Sequence, residues 1–285
     1  MLATKLKYDW QICGHQDLLK RLEAELDQLP HAMLLAGTSE IGKMTIFKRL
    51  AQILQTDDLS SKIALEIEEE THLDTMIIHD DGAPIKIAEV RKIKDYMQLS
   101  RQGNFKITIV QNVERLTIPA ANSLLKILEE PPANAKFFLT TSNLGLVLPT
   151  IVSRCRVYRT ALGSDWGEFA PKESSRYAAG KLGRAIKLSA DPEKLAQVEE
   201  WSKMIDVITG KADLVELMQV AETLNELERS EVLDFLKQLL WVAREQKRSA
   251  EVLEKIQETI NLISQNVNTR LALEVLFLQC FTHLV

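Results

Sequence analysis

Apolar residues fall into two alternating patterns over the first half of the chain. Compact apolar runs occur at "HAMLLAG" (31–37), "DTMIIHD" (74–80), "FKITIVQN" (105–112) and "AKFFLTTSN" (135–143), each short enough for a buried strand. Between them lie "DLLKRLEAELDQL" (17–29), "KMTIFKRLAQIL" (43–54), "IKIAEVRKIKDYMQL" (85–99) and "PAANSLLKILEE" (119–130), whose apolar positions recur at helical spacing. Ile87, Val90, Ile93 and Met97 share one such face, and Pro131 and Pro132 stop the last helix. Strand and helix in alternation predict a parallel sheet flanked by helices, an α/β domain.

From Thr160 to about Lys172 the periodicity breaks around Gly163, Gly167 and Pro171, which places a domain joint there. Beyond it nothing resembles a strand. "SSRYAAGKLGRAIKLS", "PEKLAQVEEWSKMIDVI", "ADLVELMQVAETL", "RSEVLDFLKQLLWVAREQ", "AEVLEKIQETINLIS" and "TRLALEVLFLQCFTHLV" all follow the helical period, so the second half is expected to be all-α. The stretch 57–81 is rich in carboxylates, among them Glu66, Glu68, Glu69 and Glu70, and reads as a solvated helix face.

One loop carries recognisable chemistry. In "AGTSEIGKMTIFKRL" (36–50), Gly37, Gly42 and Lys43 have the spacing of a phosphate-binding loop and lie between a predicted strand and a predicted helix. Glycines let successive N–H groups turn inward, the helix start adds positive potential, and the lysine reaches terminal phosphates. Hydrolysis needs more. Met44 stands where a hydroxyl should meet Mg²⁺, and a thioether is too soft for that ion. Thr45, one residue on, is rotated by about 100°. The strand "KITIV" ends in neutral Gln111 and Asn112 where an acidic pair would orient metal and water, and Glu114 is expected to lie already in the next turn. Each loss commonly costs tenfold or more, about 1.4 kcal/mol of barrier, so turnover near background is expected.

Composition adds limits. The 285 residues are 46% hydrophobic and 26% charged, an ordinary globular balance, with a net charge of -5 that argues against general coating of nucleic acid. Local cations such as Arg154, Arg156 and Arg159 can still meet a phosphate. No stretch approaches the roughly 20 apolar residues of a membrane span and "MLATKLKYDW" lacks a signal-peptide core, so a cytoplasmic protein without membrane contact is expected. Cys13, Cys155 and Cys280 are three in number and far apart, which suggests reduced thiols and no metal site.

The segment 116–159, above all "NSLLKILEEPP" (122–132) and "SRC" (153–155), resembles the bacterial clamp-loader AAA+ family. "GHQDLLKRLEAELDQLPHAMLLAG" is similar to that family's opening, "AAGKLGRAIKL" to its second sensor motif, and "NVNTRLALEVLFL" to its last collar helix. The resemblance implies an AAA+ P-loop domain (1–160), a small helical lid (161–205) and a helical collar that joins subunits (206–285). A loop without its hydroxyl and a strand end without its acids resemble the delta prime branch of the DNA polymerase III clamp loader. That implies a subunit that does not hydrolyse ATP but lends Arg154 in trans, as an arginine finger, to a neighbouring ATPase subunit. It also places Ser142 at the first sensor position and Arg184 at the second, beside Gly37, Gly42 and Lys43, in a degenerate site that holds ATP or ADP weakly or not at all. The implied partners are the delta and gamma/tau subunits and, through the complex, the sliding clamp and primer–template DNA. Many family members insert a four-cysteine zinc module after the loop helix; no cysteine lies between Cys13 and Cys155, so no zinc is expected.

Other readings stand beside these. Arg154 also reads as a surface arginine capping the preceding segment, and Ser142 as a satisfied strand-end serine. The apolar stripes of "VLDFLKQLLWVA" suit core packing within one chain as well as a subunit interface. The chain also reads as an active gamma/tau-like motor with an unusual metal shell, or as a separate DNA-binding module.

Overall fold

The computed structural model describes residues 8–12, 14–160, 174, 177–178, 181–210, 213–265 and 267–282, without the side chains of 281 and 282. Two compact units result, one of residues up to 160 together with 181–183, the other of the remaining described residues from 174 onward.

The first unit is a five-stranded parallel sheet: β1 (Ala32–Ala36), β2 (Thr75–Ile78), β3 (Lys106–Val110), β4 (Ala135–Thr141) and β5 (Arg156–Arg159), in the order β2-β3-β4-β1-β5. Every residue of β1 and β3 is buried, as expected of strands covered on both faces. Their side chains alternate between two cores. Met33, Leu35, Ile107, Ile109 and Phe138 face helices α1 (Gln16–Ala24), α2 (Lys43–Gln55) and α3 (Lys62–Glu68), and Phe47 stacks on Phe138 at 4.9 Å. Leu34, Val110, Phe137 and Leu139 face α4 (Ile87–Gln98), α5 (Ile118–Glu129) and the short α6 (Pro149–Val152). The four strands read from the apolar runs are all present.

Three local expectations change. The helix expected over 17–29 ends at Ala24, and a 3-10 turn follows at Leu26–Gln28. The acidic stretch holds one helix, α3, which buries Ala64 and Ile67, and then enters β2; Glu70 between them accepts from Lys48 at 2.7 Å and meets His79 at 2.5 Å. Strand β5, "RVYR", has no apolar run to announce it. It is pinned by side chains instead: Glu25 accepts from Arg156 Nη2 at 2.7 Å and from the Tyr158 hydroxyl, while the Arg21 guanidinium lies 4.9 Å over the Tyr158 ring. These cations and hydrogen bonds hold the Glu25 carboxyl below its ordinary value although burial alone would raise it.

The second unit is helical among its described residues. Helices Pro192–Thr209, Leu214–Asn225, Arg229–Glu245, Ala250–Ser264 and Thr269–Thr282 enclose one apolar cluster from Leu188 to Phe277, in which Trp201 meets Phe235 edge-on at 6.0 Å. Several starts are fixed by side-chain caps: Asp191, Asp213 and Ser249 accept from the backbone N–H groups of Lys194, Glu216 and Val252. The boundary expected between 205 and 206 falls inside the continuous helix Pro192–Thr209, because Ile205 and Ile208 extend the same buried face; the chain leaves that helix at Gly210. The joint expected over 160–172 lies outside the described residues except for Thr160.

Candidate functional site: a phosphate-binding loop without its metal ligands

The loop 37–43 leaves β1 between two neighbours. Gly37 N donates to Thr141 O of β4 at 3.2 Å, and Thr160 N, after β5, donates to Ala36 O at 2.9 Å. A Cβ on Gly37 would lie 2.4 Å from Thr160 O, so glycine is required by packing. Gly42, at φ 90°, is required by conformation instead, and it opens α2 through the bond from Ile46 N to Gly42 O. Buried His15 braces the loop from below. Its Nε2 lies 2.7 Å from Ile41 O and its Nδ1 2.6 Å from Thr160 Oγ1. A carbonyl only accepts, so Nε2 donates to Ile41 O while Nδ1 pairs with the threonine hydroxyl.

Lys43 is 6% exposed, and its ammonium donates to Gly37 O at 2.7 Å and Thr38 O at 2.6 Å. Burial lowers its pKa to about 8, opposed by the charge of Glu114 and assisted by that of Lys181. Gly183 N donates to Glu40 O at 2.8 Å, which brings the segment 181–183 against the loop. Sequence reasoning passed over His15 and Lys181, although both lie within quoted motifs.

The positions that would organise a divalent ion are otherwise employed. Met44 packs on the core that holds Phe47 and Leu50, and Thr45 is exposed. Gln111 Oε1 accepts from Asp80 N at 3.2 Å, and Asn112 Nδ2 donates to Asp80 Oδ2 at 2.7 Å. The two amides at the end of β3 thus tie it to the end of β2. Burial alone would raise the Asp80 carboxyl, yet Asn112, the Gly82 N–H and Arg115 hold it below its ordinary value. The groups at these positions, a thioether and two neutral amides, are poor ligands for Mg²⁺.

Glu114 does lie in the turn Val113–Arg115, as the sequence suggested, but it also reaches the site. Its Oε1 accepts from Ser142 N at 2.8 Å and from Ser142 Oγ at 2.5 Å, while Oε2 is buried without a hydrogen-bond partner. Ser142 is therefore a satisfied strand-end serine and a neighbour of the loop at once.

Arg154 follows α6. It donates to Thr150 O at 3.0 Å and forms an ion pair with Glu129 of the LEEPP segment, with a third of its side chain exposed. Beside it Cys155 packs into the core, and burial pushes its thiol up to about 12; the Cys280 thiol is pushed up to about 11. Arg184 belongs to the second unit and donates to Gln238 Oε1 at 3.3 Å. Among the described residues no helix is long and apolar enough to cross a membrane.

Residues 14–161, just over half of the chain, match the family described as DNA polymerase III, delta subunit. The chain belongs to that family. Its relatives carry clamp-loader names of more than one kind. It is 38% identical over 218 residues to the DNA polymerase III subunit gamma of Buchnera aphidicola subsp. Acyrthosiphon pisum, covering 66% of this chain and 60% of that one. It is 30% identical over 167 residues to the subunit delta' of Haemophilus influenzae, covering 55% of this chain and 50% of that one. The chain thus spans about half the length of the curated relatives it matches. Among solved structures, the gamma subunit-related protein of Thermotoga maritima aligns over 93% of this chain and 98% of that one, with a TM-score of 0.52 at 19% identity. This is the AAA+ fold, a P-loop α/β domain followed by a helical part, and the chain is a clamp-loader AAA+ family member.

Proposed function

We propose that this chain is a delta prime-like subunit of the bacterial DNA polymerase III clamp loader, a non-hydrolysing partner that presents Arg154 to ATP held by an adjacent subunit. The observation that carries the reading is the end of β3, where Gln111 and Asn112 are spent on Asp80 while Met44 is spent on the core. A site built this way keeps the phosphate cradle and gives up the ion. Arg154 remains usable because its bond to Glu129 is a surface ion pair, commonly worth no more than about 1 kcal/mol, which a phosphate can displace.

In this reading the helical part comprises a lid that carries Arg184 and a collar that meets the delta and gamma/tau subunits. The sliding clamp and primer–template DNA are reached through the complex, in the cytoplasm. A second reading, an ATP-hydrolysing gamma/tau-like motor, is favoured by the 38% identity to a subunit named gamma.

Two measurements separate them. The isolated chain is expected to hydrolyse ATP at background rate with Mg²⁺ and primed DNA; turnover typical of AAA+ motors selects the second reading. In a reconstituted loader, Arg154→Ala is expected to leave assembly intact and slow the site it faces by about 10³-fold, the lower range for arginine fingers. Unchanged turnover in a complex that contains the variant removes the finger role.

A further inference from the structure

Positive groups converge on the loop. Lys43, the start of α2 and Lys181 all add to its potential, and Lys43 satisfies itself on the loop's own carbonyls. Among the described residues, the carboxylate whose charge acts on that ammonium is Glu114. Its placement is specific: Ser142 N–H and hydroxyl both grip Oε1 and leave Oε2 inward, out of water and without a donor. Leaving a carboxylate oxygen in that state is costly unless a nearby positive charge compensates. Ser142 follows directly on Thr141, whose carbonyl accepts from Gly37 N, so the residue that holds the carboxylate stands at the strand end beside the loop.

We propose that Glu114 is a built-in anion that neutralises the loop and selects against nucleoside triphosphates, so that removing its charge restores triphosphate binding. A terminal phosphate and this carboxylate compete for the same ammonium and repel each other. A diphosphate, one phosphoryl group shorter, meets less of that repulsion, so discrimination is sharper against ATP than against ADP. The inference rests on the reading of this loop as a non-hydrolysing site, but it needs no arginine finger and no partner subunit.

Calorimetry on the isolated full chain tests it, with ATP and ADP, each with Mg²⁺ and with chelator. Glu114→Gln keeps the size and the acceptor for Ser142 and removes the charge. It is expected to tighten ATP binding at least tenfold and ADP binding by less, with chelator making little difference. Adding Lys43→Ala to that variant is expected to abolish the gain; a gain that persists places the nucleotide elsewhere and overturns the proposal. Ser142→Ala, which removes one of the two donors that hold Oε1, is expected to give a smaller gain in the same order. Equal affinities for the original chain and Glu114→Gln, including no binding by either at millimolar nucleotide, overturn it. So does weaker, Mg²⁺-dependent binding in Glu114→Gln, which would make Glu114 a metal ligand. Loader turnover is not read in any arm, so failure here leaves the Arg154 assignment standing or falling on its own test.

Discussion

Asp74 is 1% exposed and faces Lys106 at 3.0 Å, while its second oxygen accepts from Gln102 N and Gly103 N at 2.6 Å each. Lys106 in turn lies 4.5 Å over the Tyr96 ring. Burial alone would raise the Asp74 carboxyl, but these donors and the ammonium hold it below its ordinary value. A carboxyl lowered in the folded state adds stability that is full above its unfolded value of about 3.9 and is lost as pH falls through the folded value. Asp74→Ala is expected to cost about 3–5 kcal/mol, because it strands the Lys106 charge inside the protein. Urea unfolding between pH 7 and pH 3 checks both points. The variant should be less stable at pH 7 and lose less on acidification, and parallel curves would show that the pair does not stabilise the fold. Nothing in the sequence joined these two residues. They lie 32 positions apart, and a lone Asp before a strand reads as a turn residue.

At the scale of elements, the strands most readable from the chain were those buried along their whole length, and the helices those buried on one face. Strands β1 to β4 are apolar because both faces are covered, and α4 and α5 show a single stripe because one face is. Strand β5 escaped because the side-chain contacts that pin it join Glu25 to Arg156 and Tyr158, and Arg21 to the Tyr158 ring, across 131 or more positions, a signal that no local window contains. The residue that follows this strand closes the phosphate loop, since Thr160 N donates to Ala36 O, Thr160 O lies where a Gly37 Cβ would fall and Thr160 Oγ1 pairs with His15 Nδ1. That makes the two loop glycines separable. Alanine at Gly42 faces open space but must adopt φ near 90°, a cost of about 1–3 kcal/mol. Alanine at Gly37 instead places its Cβ 2.4 Å from a backbone oxygen, so β5 or the loop must move. Gly37→Ala is therefore expected to loosen the β1–β5 edge, seen as faster amide exchange at Thr160 N, while Gly42→Ala lowers the melting temperature and leaves that amide protected. Equal exchange in the two variants would show that the close approach is relieved without moving the strand.

For the whole molecule, the loop, the neutral strand end and the LEEPP and SRC segments were legible because each is a short run of adjacent residues. The role of Glu114 was not, because it depends on Ser142, 28 positions away, and on the loop that both border. The helical second unit poses the remaining question of partners. Helix Thr269–Thr282 buries Ala272, Leu273, Leu276 and Phe277, yet it leaves Leu271, Val275 and Leu278 at 58%, 42% and 44% exposure. Steps of four and three residues put these on one face, so the helix is apolar nearly all round, a pattern that calls for cover on both sides. Core packing within the chain accounts for the first face and not the second. If that second face meets another loader subunit, replacing Leu271 and Val275 with glutamate should leave the melting temperature of the isolated chain within a few degrees, since neither side chain is in the core. The same change should weaken assembly at least tenfold, because two desolvated carboxylates would enter an apolar contact. Sedimentation of the reconstituted complex across a concentration series reads this directly, and assembly at unchanged concentration would assign the interface to another surface.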